Sequence, residues 1–195
     1  MHLPLLNLPW ILGLALSVAS PGFADGVPAD QQRLWNAIKG GGHIVLMRHA
    51  EAPGTGDPSN FEIDDCGTQR NLSDQGRQQA RGIGDRFRRN GIHAATVYSS
   101  QWCRCLETAR LLGLGHVRPH DSLNSFFRVY SEKDQRTAAA LELIRAETLE
   151  APNRPPVLVT HQVNITALTG LFPASGEMLV IKLSGDGIDT VGRLR

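Results

Sequence analysis

Apolar residues in this chain gather in short runs of strand length, separated by longer amphipathic stretches. His43–Arg48 (HIVLMR), Ala95–Ser99 (ATVYS) and Pro156–Thr160 (PVLVT) are near-continuous apolar runs, the pattern of strands buried on both faces of a sheet. Met178–Leu183 predicts a further strand and Thr190–Leu194 a last one. Val117–His120 predicts a short edge strand, because Pro119 cannot donate to a central ladder. Pro28–Lys39 predicts a short helix stopped by Gly40-Gly41-Gly42. Ser73 suits the N-cap of a helix running to about Asn90, with Gly91 as its stop. Ile83 and Phe87 would form its inner stripe, and Arg77, Arg81, Arg86, Arg88 and Arg89 its mostly solvated faces. Cys105–Leu112, Asp134–Glu150 and Asn164–Thr169 predict three more helices. Strands separated by helices imply parallel crossovers. The fold class is therefore α/β, a three-layer α/β/α sandwich with a mostly parallel central sheet.

The first 24 residues break this pattern. None of the 39 charged residues lies there, Trp10–Ala19 is an apolar run, and Gly22 and Ala24 give a small-x-small step. That is the layout of a cleaved secretory signal, although its start carries no Lys or Arg. The run is too short for a bilayer span, which takes about 20 residues. The expectation is a signal peptide at 1–24, a single catalytic domain at 25–195, and a periplasmic or secreted protein without stable membrane insertion.

Composition narrows the function classes. Twenty basic and nineteen acidic residues leave a net charge of +1, which argues against nucleic acid as a partner. Seventeen of the basic residues are Arg and three are Lys. The guanidinium fork matches phosphate oxygens in pairs, but an arginine-rich genome explains such a skew as well. Cys66, Cys103 and Cys105 are the only cysteines. In an oxidising compartment Cys66 could bridge to Cys103 or to Cys105, and three reduced thiols are the alternative.

Ligands of such sheets gather at the carboxyl ends of the strands. Arg48-His49 stand after the first strand, Ser99-Ser100 and then Arg104 after the second, and His161 after the third. The loop before the first long helix supplies Arg70. Three guanidiniums on one edge repel one another unless an anion sits between them. They fit the oxygens of a phosphoryl group, and a neutral imidazole is a competent nucleophile toward its phosphorus. Fixed cations could then serve in place of a metal, so no cofactor is called for.

Four ordered segments carry a resemblance. Arg48-His49-Ala50-Glu51 is similar to the signature of the histidine phosphatase superfamily, the phosphoglycerate mutase-like proteins. Arg70–Ala80 resembles its R-x-L-[ST]-x-x-G-x-x-Q-A segment, and Ser99–Ala109 its S-S-x-x-x-R-x-x-x-T-A segment. Val157–Asn164 resembles the strand ending in its second histidine. The resemblance implies His49 as phosphate-accepting nucleophile, Arg48, Arg104 and His161 as further catalytic and phosphate-binding residues, and Arg70 as a phosphate ligand. It implies a small-molecule phosphate ester as partner, a sugar phosphate among the options, and a phosphohistidine intermediate. A non-catalytic phosphate-binding module on the same fold is the alternative.

Two departures qualify the match. Gln162 follows the second histidine where the acid branch has Asp, and no large insertion is present, which places the chain with the compact branch. That branch often carries a Glu proton donor where this chain reads Leu123–Phe127, without a carboxylate. Asp121, Glu132 and Glu177 are the remaining candidates. In layout the chain also resembles periplasmic lipopolysaccharide core heptose phosphatases. The 52–70 loop reads as the specificity element, with Asp57, Asp64 and Asp65 read first as solvated loop acids and, as the alternative, as groups that contact sugar hydroxyls or repel acidic ligands.

Overall fold

The computed structural model describes residues 29–150 and 154–194; the expected signal peptide lies outside them. The helices are α1 (Ala29–Lys39), α2 (Asp74–Arg89), α3 (Cys103–Leu112), α4 (Lys133–Glu150) and α5 (Gln162–Thr169). The strands are β1 (Ile44–Arg48), β2 (Thr96–Ser99), β3 (Val117–Pro119), β4 (Pro156–Thr160), β5 (Met178–Ser184) and β6 (Gly187–Leu194). They form one sheet in the order β3-β2-β4-β1-β5-β6.

Period-two alternation splits the core into two layers. Val45, Met47, Val97, Val157, Val159 and Val180 face a cluster built on Trp35, Ile38, Ile83, Phe87, Ala109 and Leu112, so α1, α2 and α3 cover one face. Ile44, Leu46, Tyr98, Leu158, Leu179 and Ile181 face Ala140, Ile144 and Ile165 of α4 and α5 on the other. This is the expected three-layer sandwich. Gly84 lets α2 approach α3, since a Cβ there would lie 2.1 Å from the Leu112 carbonyl oxygen.

β1, β2, β3 and β4 are mutually parallel. The expectation of parallel crossovers fails for the last two strands: β5 runs antiparallel to β1, and β6 antiparallel to β5. Ser184 pairs with Gly187 across Gly185-Asp186, and Gly185 has φ +54°, the positive φ that a two-residue hairpin turn requires. α3 starts at Cys103, two residues earlier than the apolar pattern predicts, which moves Arg104 into its first turn. α5 likewise starts at Gln162, directly after His161.

The parallel arrangement matters for function. The carboxyl ends of β1, β2 and β4 share one edge, and β1 and β4 are neighbours. The crossovers from β1 and β2 run over one face while α4 and α5 lie on the other. A crevice opens at such a reversal.

Candidate active site

Each functional side chain is placed by a local device. Ser73 caps α2, its Oγ accepting from the Gly76 amide at 2.9 Å, and donates to the Glu51 carboxylate. Gly76 meets the loop after β1 so closely that a Cβ would lie 2.0 Å from the Glu51 carbonyl oxygen. Gln79 accepts from the Glu51 amide at 2.9 Å and donates to the Ser175 carbonyl at 2.8 Å. Thr108 accepts from the Ala50 amide at 3.0 Å. The Gly, Gln and Thr positions of the sequence segments thus grip the two residues after His49 and hold its backbone still.

His49 is 2% exposed. Its Nδ1 lies 2.7 Å from the Ala50 carbonyl oxygen. A carbonyl only accepts, so Nδ1 carries the proton and Nε2 keeps its lone pair. His161 is buried beside it, with ring centroids 5.5 Å apart. The Ser100 hydroxyl donates to Asn124 Oδ1 at 3.2 Å. His161 Nε2, 2.8 Å from that hydroxyl, is therefore its donor. His161 Nδ1 faces Arg104 Nη2 at 3.4 Å.

The cleft has a volume of about 200 Å³, and Arg48, His49, Arg70, Arg104 and His161 all line it. The five residues expected at the phosphate site are thus brought together. Arg48 donates from Nη1 to the Pro173 carbonyl at 3.0 Å. Arg70 donates from Nε to the Gly56 carbonyl at 2.8 Å and from Nη1 to the Ala52 carbonyl. Burial and the neighbouring Arg104 cation lower the pKa of both.

The same field keeps the imidazoles neutral. Burial pushes the His49 pKa down to about 3, with Arg104, Arg48 and Arg70 adding repulsion, against the Ala50 hydrogen bond that raises it. His161 is lowered well below the ordinary 6.5, again chiefly by burial. Both histidines therefore titrate lower in the fold than in the unfolded chain. Their contribution to stability is full above pH 6.5 and is lost as pH falls below that value. The expected slope is about 1.4 kcal/mol per pH unit for each histidine. Urea unfolding at about pH 7 and about pH 5 measures it; equal free energies at the two would contradict neutral burial.

None of the three candidate proton donors reaches the cleft. Asp121 is exposed, Glu132 pairs with Arg136 at 2.6 Å, and Glu177 accepts from the Ala174 amide at 2.8 Å and from Arg193 at 3.2 Å. Asp64 and Asp65 are exposed, as expected of loop acids, but Asp57 is not a solvated acid. Its side chain is 5% exposed and pairs with Arg104 at 2.6 Å. Trp102, Phe127 and Arg128, none of them singled out by the sequence, line the cleft as well.

Cys66 is bridged to Cys103, which resolves the choice left by the sequence. The bridge ties the 52–70 loop to the first turn of α3, next to Arg104. Cys105 is free and buried, its Sγ 3.5 Å from His161 Nε2, and burial pushes its thiol up to about 12. Among the described residues no group of three or more His, Cys, Asp or Glu could hold a metal ion, and no helix is long and apolar enough to cross a membrane.

Comparison with known proteins bears on the fold that carries this cleft. The family model of the histidine phosphatase superfamily (branch 1) matches residues 44–126. No curated protein matches the chain. Among solved structures, the protein histidine phosphatase SixA complexed with tungstate superposes with a TM-score of 0.54 at 12% identity, covering 78% of this chain and 96% of that one. The mycobacterial glucosyl-3-phosphoglycerate phosphatase complexed with VO3 gives 0.56 at 17% identity, covering 76% and 96%. The phosphoserine phosphatase of Entamoeba histolytica with 3-phosphoglyceric acid gives 0.55 at 14% identity, covering 78% and 96%. At these identities the likeness is one of fold.

Proposed function

We propose that this chain, whose residues 44–126 match the family model of the histidine phosphatase superfamily (branch 1), is a member of that superfamily and a phosphatase, a phosphoric monoester hydrolase working through a phosphohistidine on His49. The observation that carries this reading is the free Nε2 lone pair of His49 in a cleft lined by Arg48, Arg70 and Arg104. Phosphoryl oxygens bind these guanidiniums, which stabilise the charge that spreads over them in transfer, while His161, its Nε2–H held by Ser100, lines the same cleft. The Nε2 lone pair forms a P–N bond as the bond from phosphorus to the leaving group breaks. Water then attacks phosphorus, the P–N electron pair returns to Nε2, and inorganic phosphate departs.

The substrate is a small phosphate ester or related phosphoryl compound whose leaving group needs little protonation. This rests on the carboxylate inventory: Asp57 is the sole acid lining the cleft among the described residues. Burial raises its pKa, but the hydrogen bond and charge of Arg104, then the Arg70 amide and the Trp102 indole, outweigh burial and lower it. A carboxylate held ionised has no proton to give. With a series of aryl phosphates, kcat/KM is expected to fall about tenfold or more as the phenol pKa rises by about two units. A flat series would mean that a protein group protonates the leaving oxygen. Saturable phosphate binding with no phosphate release from any ester would leave the non-catalytic binding module instead.

Export to the periplasm or beyond the cell is part of the same proposal. The Cys66–Cys103 bridge supports it, because disulfides persist in oxidising compartments. N-terminal sequencing of the protein from fractionated cells tests it: a mature start at Asp25 outside the cytoplasm is expected, and an intact leader on cytoplasmic protein would refute it.

A further inference from the structure

Asp57 is held by four hydrogen bonds. Its Oδ1 accepts from Arg104 Nη1 at 2.6 Å and from the Arg70 amide at 3.1 Å. Its Oδ2 accepts from Arg104 Nη2 at 3.2 Å and from the Trp102 indole at 3.1 Å. A carboxylate offers about four lone-pair sites, so Asp57 is saturated. Gly54 and Gly56, with φ of +87° and +71°, let the loop turn back far enough to bring it there. The other ends of the Arg104 fork are also engaged: Nη1 donates to the Arg70 carbonyl at 3.3 Å, and Nη2 faces His161 Nδ1 at 3.4 Å. Arg104 Nε is buried with no hydrogen-bond partner among the described residues.

We propose that Asp57 is a positioning residue, which fixes the plane of the Arg104 guanidinium and cancels one of the three inner cleft charges. Arg48, Arg70 and Arg104 carry +3 and Asp57 carries −1, while both imidazoles are neutral, so the inner cleft carries +2. Arg128, the fourth guanidinium of the cleft, is exposed and donates to the Pro58 carbonyl, where water screens it. A phosphoryl group bearing about −1.5 to −2 at neutral pH matches that +2. Arg104 keeps Nε–H as the donor not committed to the protein. A cleft at +3 would hold the product phosphate harder than turnover allows. The role rests on the cleft being a phosphoryl site, and it gives the 52–70 loop a function in charge matching.

The test compares wild type with Asp57→Asn, close in shape but uncharged, and with Asp57→Glu, which keeps the charge. Calorimetry measures the Kd of inorganic phosphate, p-nitrophenyl phosphate gives kcat and KM, and thermal unfolding checks the fold. In Asp57→Asn phosphate binds about tenfold tighter and KM falls, from the lost carboxylate charge. Its kcat falls about tenfold or more, because Arg104 loses its fixed plane and phosphate leaves slowly. In Asp57→Glu the phosphate Kd stays within about threefold of wild type, since the charge is retained. Unchanged or weaker phosphate binding in folded Asp57→Asn overturns the role. So does a loss confined to poor leaving groups, which would make Asp57 the proton donor. If Asp57→Asn does not fold, Asp57→Glu decides: an unchanged Kd with lowered kcat supports the role, and any other pair of results overturns it. Phosphate binding needs no turnover. Tighter binding by Asp57→Asn, with no hydrolysis of any ester by wild type, would therefore sink the phosphatase reading and leave the charge-matching role standing.

Discussion

His49→Ala is expected to lower phosphatase turnover by at least about 10⁴-fold, as removing a nucleophile does elsewhere, while the protein stays folded and still binds inorganic phosphate. The nucleophile owes its position to its backbone, gripped by Thr108, Gln79 and Gly76, none of which touches the ring. The side chain itself gives one local hydrogen bond, to the Ala50 carbonyl, a contribution of about 1 kcal/mol. Stability near neutral pH is thus little changed. At lower pH the variant becomes relatively more stable than wild type, because one buried imidazole with a lowered pKa is gone. Steady-state rates and urea unfolding together check this. Turnover within tenfold of wild type would exclude His49 as the phosphate acceptor.

Arg104→Ala is the second large effect, and it strikes both rate and stability. Loss of one preorganised donor to a phosphoryl group costs about 10²- to 10³-fold in kcat. Asp57, 5% exposed, would keep only the Trp102 and Arg70 donors. Leaving a buried carboxylate without its cation costs about 3–5 kcal/mol. Asp57→Asn in the Arg104→Ala background removes the stranded charge and is expected to recover most of the stability and none of the rate. Equal stability of the single and double variants would show that the pair is not coupled.

Most of the fold could be read from the apolar pattern, because strands buried on both faces give runs that loops do not. β4 was bounded at both ends by its apolar run, and the helix stops at Gly91 and Gly113 follow from the glycines there. The hairpin of β5 and β6 does not show in that pattern, although Gly185-Asp186 is a turn signal. The start of α3 does not show either, because its first turn, Cys103 and Arg104, faces the loop and the cleft and carries no apolar periodicity.

The site residues were legible because each ends a strand or lies in a patterned segment. Asp57 was not. It sits in an irregular loop, and its burial depends on a guanidinium 47 positions later in the chain. Periodicity gives no signal for such a pair, although three unshielded arginines called for an anion, and Asp57 supplies one from within. The disulfide partner was hidden for a similar reason: Cys103 faces the loop while Cys105, two residues on, points beneath His161. Of the seventeen arginines, Arg48, Arg70 and Arg104 are gathered at the inner cleft. Cation there is concentrated in one place on a chain of net charge +1.

The covalent intermediate is the most direct measure of the mechanism. Wild-type protein is mixed with a phosphoryl-labelled aryl phosphate and quenched in alkali within one turnover, and the labelled peptide is mapped by mass spectrometry. Label is expected on His49 alone, stable in alkali, lost in acid, and absent from His49→Ala. Label on another residue, or retained by His49→Ala, would contradict a phosphohistidine at that position.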